Sequence, residues 1–390
     1  LVQDLPCFDF HPRTRIVFGP GFLDRLGELA RELCGSRVLL VTDPGIEAAG
    51  HPERAIRSLE ENGLQVSVFD GVIENPASKE VDACVLAARH HGTDLIVGLG
   101  GGSSMDTAKG CNFVLTNGGS IEDYWGIGKA ARPMLPLIAV PTTAGTGSEC
   151  QSFALISHPV THQKMACGDP KAAPRIALLD PALTLTQPRG VAACTGMDAI
   201  AHAVETAVTT KRNPVSSLLS RESFRLTQQA FPRILDDPEN MESRGAMLLG
   251  AALAGLAIEN SMLGAAHAAA NPLTARHGAI HGQAVALLLP HVVRFNAGDE
   301  AACRAYRDIA VASGLVPPEV SPGAAAETLA AWLESLLAKT SMPVRLADMD
   351  IPRADIPALA GLAAEQWTGK FNPRPLAVED FTALYERAYG

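Results

Sequence analysis

Four side chains in the second half of the chain have types and spacing that suit metal chemistry. Asp198 and His202 stand four positions apart in Gly-Met-Asp-Ala-Ile-Ala-His-Ala-Val-Glu, which puts them on one face of a helix. His267 lies in Gly-Ala-Ala-His-Ala-Ala-Ala, and His281 precedes Gly282 and another apolar run. Pro272 between them predicts that the two occupy different helices. One carboxylate and three imidazoles make a four-ligand set for a divalent transition metal. A single histidine on an apolar helix is more often a core residue whose ring nitrogens find local partners. Taken jointly, four polar groups buried without partners would cost several kcal/mol, and that favours the metal.

A second chemistry is written in Asp94 to Lys109, Asp-Leu-Ile-Val-Gly-Leu-Gly-Gly-Gly-Ser-Ser-Met-Asp-Thr-Ala-Lys. Leu95 to Val97 reads as a strand buried on both faces. Glycines follow at 98, 100, 101 and 102, and Ser103 and Ser104 stand where a helix N-cap is expected. Strand, glycine turn and helix start together cradle a phosphate, because glycine admits the anion to the backbone and free N–H groups point at it. The alternative is a tight turn that binds nothing. Pro141 to Glu149, Pro-Thr-Thr-Ala-Gly-Thr-Gly-Ser-Glu, adds a second hydroxyl-rich loop after a buried strand. Asp43 closes the strand Arg37–Thr42, where it can accept hydrogen bonds from a ribose or cap a helix. It precedes Gly100 by 57 positions. The usual dinucleotide fingerprint has the reverse order, so the strand order must differ.

The elements that must position these residues alternate in the first half. Strands are expected at Arg15–Phe18, Arg37–Thr42, Gln65–Phe69, Leu95–Val97, Leu135–Val140 and Ile176–Leu179, with helices at Phe22–Leu33, Pro52–Glu61 and Ser78–His90. That pattern implies a parallel sheet with helices on both faces and ligands at the carboxyl ends of its strands. After Pro188 alanine and leucine dominate, and Ala192–Thr209, Val215–Ala230, Glu242–Asn260 and Ala324–Leu337 read as helices. Pro188 to Gly190 is the expected boundary, giving domains 1–189 and 190–390.

Composition excludes some classes. Of the 390 residues 47% are hydrophobic and 19% charged, enough for a large core, and the net charge of −10 argues against a nucleic-acid surface. No uninterrupted apolar run of membrane-spanning length is read, and residues 1–10 lack the basic and apolar parts of a secretion signal. Eight scattered cysteines without a Cys-x-x-Cys pair suggest reduced thiols and a cytoplasmic location.

The chain resembles the iron-containing (group III) alcohol dehydrogenase family over nearly its whole length. Four motifs carry the resemblance: Gly-Gly-Gly-Ser-x-x-Asp-x-Ala-Lys at 100–109, Pro-Thr-Thr-Ala-Gly-Thr-Gly-Ser-Glu at 141–149, Gly-Met-Asp-Ala-x-x-His-Ala-x-Glu at 196–205 and His-Gly-x-x-x-x-x-x-Leu-Pro-His at 281–291. The resemblance implies an α/β N-terminal dinucleotide-binding domain plus an all-α C-terminal domain, in a dehydroquinate-synthase-like architecture. It implies that Asp198, His202, His267 and His281 hold Fe(II) or Zn(II), and that Gly101, Gly102 and Ser103 bind the pyrophosphate of NAD. Asp43, Asn75, Asp106, Thr142, Thr143, Thr146, Lys164 and Leu183 fall where the family contacts the rest of NAD(P), with Asp43 selecting NAD over NADP. Phe153 and Ile258 fall by the family's substrate pocket. The implied reaction is hydride transfer between a small alcohol and the nicotinamide, with the metal as Lewis acid. A homodimer or higher homo-oligomer is implied as well.

Two related chemistries compete. A metal-free maleylacetate-type reductase would lack the ligand set, and a dehydroquinate-synthase-type lyase would need Lys and Arg where this chain offers Arg276 and little else. One departure stands out. Many members carry a histidine credited with proton relay four residues after the third ligand, and here that position is Asn271. His277 is either a substitute relay or a solvated helix-end residue.

Overall fold

The computed structural model describes residues 7–390. They divide into two units, His11–Gln187, and Pro188–Gly390 together with residues 7–10. The first unit runs β1 (Arg15–Phe18), α1 (Leu26–Glu32), β2 (Arg37–Val41), α2 (Pro44–Ala48), α3 (His51–Glu61), β3 (Gln65–Phe69), α4 (Ser78–His91), β4 (Leu95–Gly100), α5 (Gly102–Asn117), β5 (Gly126–Ile127), β6 (Leu137–Pro141), β7 (Phe153–Ser157), β8 (Lys164–Gly168) and β9 (Ile176–Leu179). Six strands form one sheet in the order β1-β9-β6-β4-β2-β3, every pair parallel. Alternate residues enter two apolar clusters: Leu39, Val41 and Ile96 on one face, Val38, Leu40, Leu95 and Val97 on the other. Burial on both faces is why these strands read as unbroken apolar runs.

Strand order resolves the reversed fingerprint. β2 lies beside β4 with Val41 opposite Gly98. Two residues further on, Asp43 and Gly100 therefore stand level at the carboxyl edge, although far apart in sequence. Gly98 leaves little room for a side chain, since a Cβ there would lie 3.3 Å from the Met105 Cα, so α5 packs directly on β4.

Two expectations about the first unit are corrected. Ser103 and Ser104 do not cap α5: the helix starts at Gly102 with Gly101 as N-cap and no side-chain cap bond. Glycine at both positions lets the chain enter the helix a residue earlier and leaves its first N–H groups uncovered. Leu135 is not in the sheet, because the Asn112 side chain takes both its N–H (3.0 Å) and its carbonyl (2.9 Å). A second sheet, ordered β5-β8-β7, occupies residues for which the sequence analysis names no strand.

The second unit is helical: α6 (Arg189–Thr206), α7 (Pro214–Asp236), α8 (Met241–Ser261), α9 (Ala265–His277), α10 (His281–Asn296), α11 (Glu300–Ala312), α12 (Pro322–Lys339), α13 (Ile356–Ala364) and α14 (Val378–Tyr389). α8 is long and apolar enough to cross a membrane by length and composition, but 67% of its apolar window is buried inside the protein, as in a core helix. His267 and His281 do occupy different helices, yet the break is not at Pro272, which lies inside α9. Pro272 leaves the Ala268 carbonyl without its helical donor, and the Tyr385 hydroxyl donates to the neighbouring Ala269 carbonyl (2.6 Å). α9 ends instead at Gly278, with φ +66° and the paired bonds Gly278 N–H to Thr274 O and Ala279 N–H to Leu273 O.

Beside His281, α10 meets α6 backbone to backbone: a Cβ on Gly282 would lie 2.4 Å from the Cys194 carbonyl oxygen. Gly282→Ala should therefore destabilise the protein by about 1–3 kcal/mol, as overpacking does. Gly361→Ala in α13, where a Cβ meets open space, should stabilise it by up to about 1 kcal/mol. Thermal unfolding of the two variants beside wild type checks the opposite signs.

Candidate functional site

α6 carries Asp198 and His202 one turn apart, α9 carries His267 in its first turn, and α10 begins with His281. Ligand atoms of Asp198, His267 and His281 lie within 4.8 Å of one another. His202 joins them: its Nε2 is 3.6 Å from Asp198 Oδ1 and its ring stacks on His267 with centroids 4.8 Å apart. Asp198 Oδ1 and His267 Nε2 face each other at 3.3 Å, both buried, and neither hydrogen-bonds to a described residue. Burial opposes charge on Asp198, but His202, His267 and His281 outweigh it and hold the carboxyl well below the usual carboxylate range. Burial likewise opposes a charged His267, yet Glu205 and Asp198 push its imidazole up to about 9. Converging nitrogen and oxygen donors with two buried atoms unmatched suit a divalent cation.

Sequence reasoning missed Glu205 as a functional residue, although it closes the quoted motif. It lies two turns beyond Asp198 on α6. Its Oε2 is 2.5 Å from His267 Nδ1, and its Oε1 accepts the Ala266 N–H at 2.6 Å. The carboxylate thus caps the start of α9 and holds a proton on Nδ1, which leaves Nε2, facing Asp198, as the nitrogen that would ligate a cation. Its spacing of seven from Asp198 was the available signal, since that returns a side chain to the same helix face.

The first unit gathers most of the expected cofactor residues at the glycine turn. Gly100 has φ +151°, and a Cβ there would lie 2.4 Å from Ser104 Oγ. On Gly102 a Cβ would lie 2.9 Å from the Thr146 methyl, and on Gly101 it would lie 3.6 Å from Thr143. The Thr142 and Thr143 hydroxyls are buried and hydrogen-bond to no described residue. Asn75, with φ +53°, donates its N–H to Ser103 Oγ at 3.3 Å. Asp43 caps α2 through Oδ1, which accepts from Gly45 and Ile46, while Oδ2 accepts from Ser104 Oγ at 3.1 Å. A carboxylate oxygen with one partner retains acceptor capacity. Close-approach glycines, uncovered helix N–H groups and unmatched threonine hydroxyls are the features of a phosphate cradle.

Other expected residues lie further from the turn. Asp106 is buried and accepts from Ser148 Oγ at 2.7 Å. Burial pushes its carboxyl up, with Lys109, Ser148 and Lys164 pulling the other way. Lys164 opens β8. The Leu183 side chain is fully buried in an apolar cluster, its N–H donates to the Asp180 carbonyl and its own carbonyl accepts from Thr186 Oγ1 at 3.2 Å. Phe153 packs its ring on Gly168, and Ile258 is buried in α8. His277 ends α9, ten positions beyond His267 and so about 15 Å along the axis. Its Nε2 is 3.4 Å from Asp355 Oδ2. The Asn271 side-chain amide donates to Gln366 Oε1 at 3.0 Å.

A parallel sheet with a close-approach glycine turn at its carboxyl edge, in one chain with a buried carboxylate–imidazole cluster, fits the class of metal-dependent dinucleotide oxidoreductases. The chain belongs to the iron-containing alcohol dehydrogenase family. Residues 12–181 match the family described as iron-containing alcohol dehydrogenase, and residues 192–389 match its C-terminal domain. The chain is 32% identical to the NAD-dependent methanol dehydrogenase of Bacillus methanolicus, over 95% of this chain and 97% of that one. It is 33% identical to the 1,3-propanediol dehydrogenase of Klebsiella pneumoniae, over 98% and 99%. A crystal structure of 1,3-propanediol oxidoreductase superposes with TM-score 0.94 at 32% identity, covering 98% of this chain and all of the other. An alcohol dehydrogenase from Oenococcus oeni does so with TM-score 0.94 at 31% identity and the same coverage. The protein is an alcohol–aldehyde oxidoreductase that works with NAD(P) and a divalent metal.

Glu205→Gln should weaken metal binding roughly 10- to 100-fold. An amide nitrogen facing Nδ1 draws the ring into the tautomer that carries its proton on Nε2. Chelator competition on the folded variant measures the loss, and unchanged affinity would separate Glu205 from the metal.

Proposed function

We propose that Asp198, His202, His267 and His281 are the metal ligands and that the first unit binds NAD at the glycine turn. The observation that carries the metal assignment is the buried, unmatched contact between Asp198 Oδ1 and His267 Nε2. A divalent cation held there supplies Lewis acidity toward the substrate oxygen, and NAD accepts or returns the hydride. Glu205 keeps His267 in the ligating tautomer. The N-terminus of α5, with Gly101, Gly102 and Ser103, receives the pyrophosphate, and Thr142, Thr143 and Thr146 offer hydroxyls to it. Asp43 accepts from the adenosine ribose and repels a 2′-phosphate, which favours NAD over NADP. Asn75, Asp106, Lys164 and Leu183 complete the cofactor contacts by the family pattern.

The substrate is a small alcohol or its aldehyde, a reading supported by relatives named for methanol, 1,3-propanediol and lactaldehyde. The intact ligand set argues against a metal-free reductase, and the family membership argues against a lyase. With the Asn271 side-chain amide donating a hydrogen bond to Gln366 and His277 beside Asp355, water carries the proton and His277 is a helix-end residue. All eight cysteines are free, in keeping with a cytoplasmic enzyme. We take it to act as a homo-oligomer without nucleic-acid or membrane partners.

Protein reconstituted with Fe(II) or Zn(II) is to be assayed with NAD against methanol, 1-propanol and 1,3-propanediol, with metal content measured in parallel. His267→Ala and His281→Ala should each lose most of both metal and turnover, since each removes one of four ligands. Full occupancy in either variant would remove that residue from the set. Asp43→Gly should raise kcat/KM with NADP relative to NAD, and an unaltered ratio would put Asp43 away from the ribose.

A further inference from the structure

The lysine that ends the glycine motif has polar partners of its own. Lys109 is fully buried on α5. Its ammonium donates to three oxygens: the Ser148 carbonyl (2.6 Å), Ser148 Oγ (2.7 Å) and the Phe153 carbonyl (2.9 Å). Lys109 offers donors alone, so Ser148 Oγ accepts from it and directs its own proton onward. That proton goes to Asp106 Oδ1 at 2.7 Å, and the Asp106 carboxylate also lies 3.8 Å from the ammonium. The polarity of the chain Lys109 to Ser148 to Asp106 is thereby set.

This chain ties together three pieces of backbone: the first turns of α5, the segment that follows β6, and the start of β7. A buried ammonium is a costly way to fill space, since an apolar side chain of similar length would pack without desolvating a charge. Directionality is what the charge adds, and it acts on the segment 142–148. That segment carries Thr142, Thr143 and Thr146 over the start of α5, where Thr146 and Thr143 abut Gly102 and Gly101. The clamp therefore sets the gap between the threonine hydroxyls and the uncovered helix N–H groups. It also fixes which way the Asp106 carboxylate faces.

We propose that Lys109 and Ser148 are positioning residues for the dinucleotide: their hydrogen-bonded chain holds the threonine segment at phosphate-binding distance from the N-terminus of α5. The inference rests on the reading of the glycine turn as the NAD site. Neither residue is required to touch the cofactor.

Ser148→Ala tests it with least damage, because the Lys109 ammonium keeps two backbone carbonyls. Ser148→Cys, which keeps the volume and weakens the bonds, is read in the same way and serves if the alanine variant is insoluble. NADH is titrated into the metal-loaded proteins by nicotinamide fluorescence, with Tm and metal content alongside. The dissociation constant for NADH and the KM for NAD should each rise about tenfold, the size of loss expected from misplacing a positioned group. The KM for alcohol and the metal content should stay at wild-type values. Lys109→Met should show the larger loss of NADH affinity. Wild-type NADH affinity in Ser148→Ala together with a lowered Tm would make the clamp a folding device and overturn the inference. If wild type itself fails to bind NADH, the dinucleotide reading falls and takes this inference with it.

Discussion

A carboxylate oxygen buried 3.3 Å from an imidazole nitrogen, with no hydrogen bond to either, is the arrangement on which the helical unit turns. In a low-dielectric interior unmatched polar atoms are expensive, and the cost falls when a cation joins them. Three helices must meet for the arrangement to exist. Their meeting depends on two small-scale features: the bare backbone contact at Gly282 and the Glu205 carboxylate that caps α9. The same Glu205 oxygens orient His267 and satisfy a helix N–H, so ligand geometry and helix capping are one device. Removing either partner would disturb both.

The α/β unit follows a parallel logic with different groups. Glycine at 98 lets α5 lie on β4, and glycine at 100, 101 and 102 brings backbone and threonines together without side chains between them. Strand order then delivers Asp43 to the same edge. Its carboxylate is already engaged as a cap for α2 and as an acceptor for Ser104. The cap is a means of aiming it: a carboxylate held by backbone N–H groups cannot wander from the strand end. Helix-capping and ligand-binding readings of this residue are therefore compatible.

Where sequence reasoning erred, local rules were overridden by neighbours. Serine is a better N-cap than glycine by propensity, yet α5 starts before Ser103 because the turn above β4 is built for close approach. Proline breaks helices in isolation, yet α9 continues through Pro272 with its alanine face buried and Tyr385 bonded to the Ala269 carbonyl. Leu135 reads as strand, but a side chain from α5 captures its backbone. In the small sheet, β5 is two residues long and pairs with a strand distant in sequence, while β7 and β8 pair antiparallel as sequence neighbours.

The sequence by itself determined the class of each unit, through apolar runs in the first half and alanine-rich helical spacing in the second. It also named the residue types of both chemistries, since His, Asp and clustered glycines are rare enough in these settings to be conspicuous. Family motifs extended that to individual ligands. Only the tertiary structure decided which of those residues meet. The convergence of Asp198, His267 and His281 from three helices, the levelling of Asp43 with Gly100, and the Lys109–Ser148–Asp106 chain all join residues far apart in the chain. Their geometry is set by packing between elements, and spacing along one chain carries no record of the angle at which two helices cross or the order in which strands lie side by side.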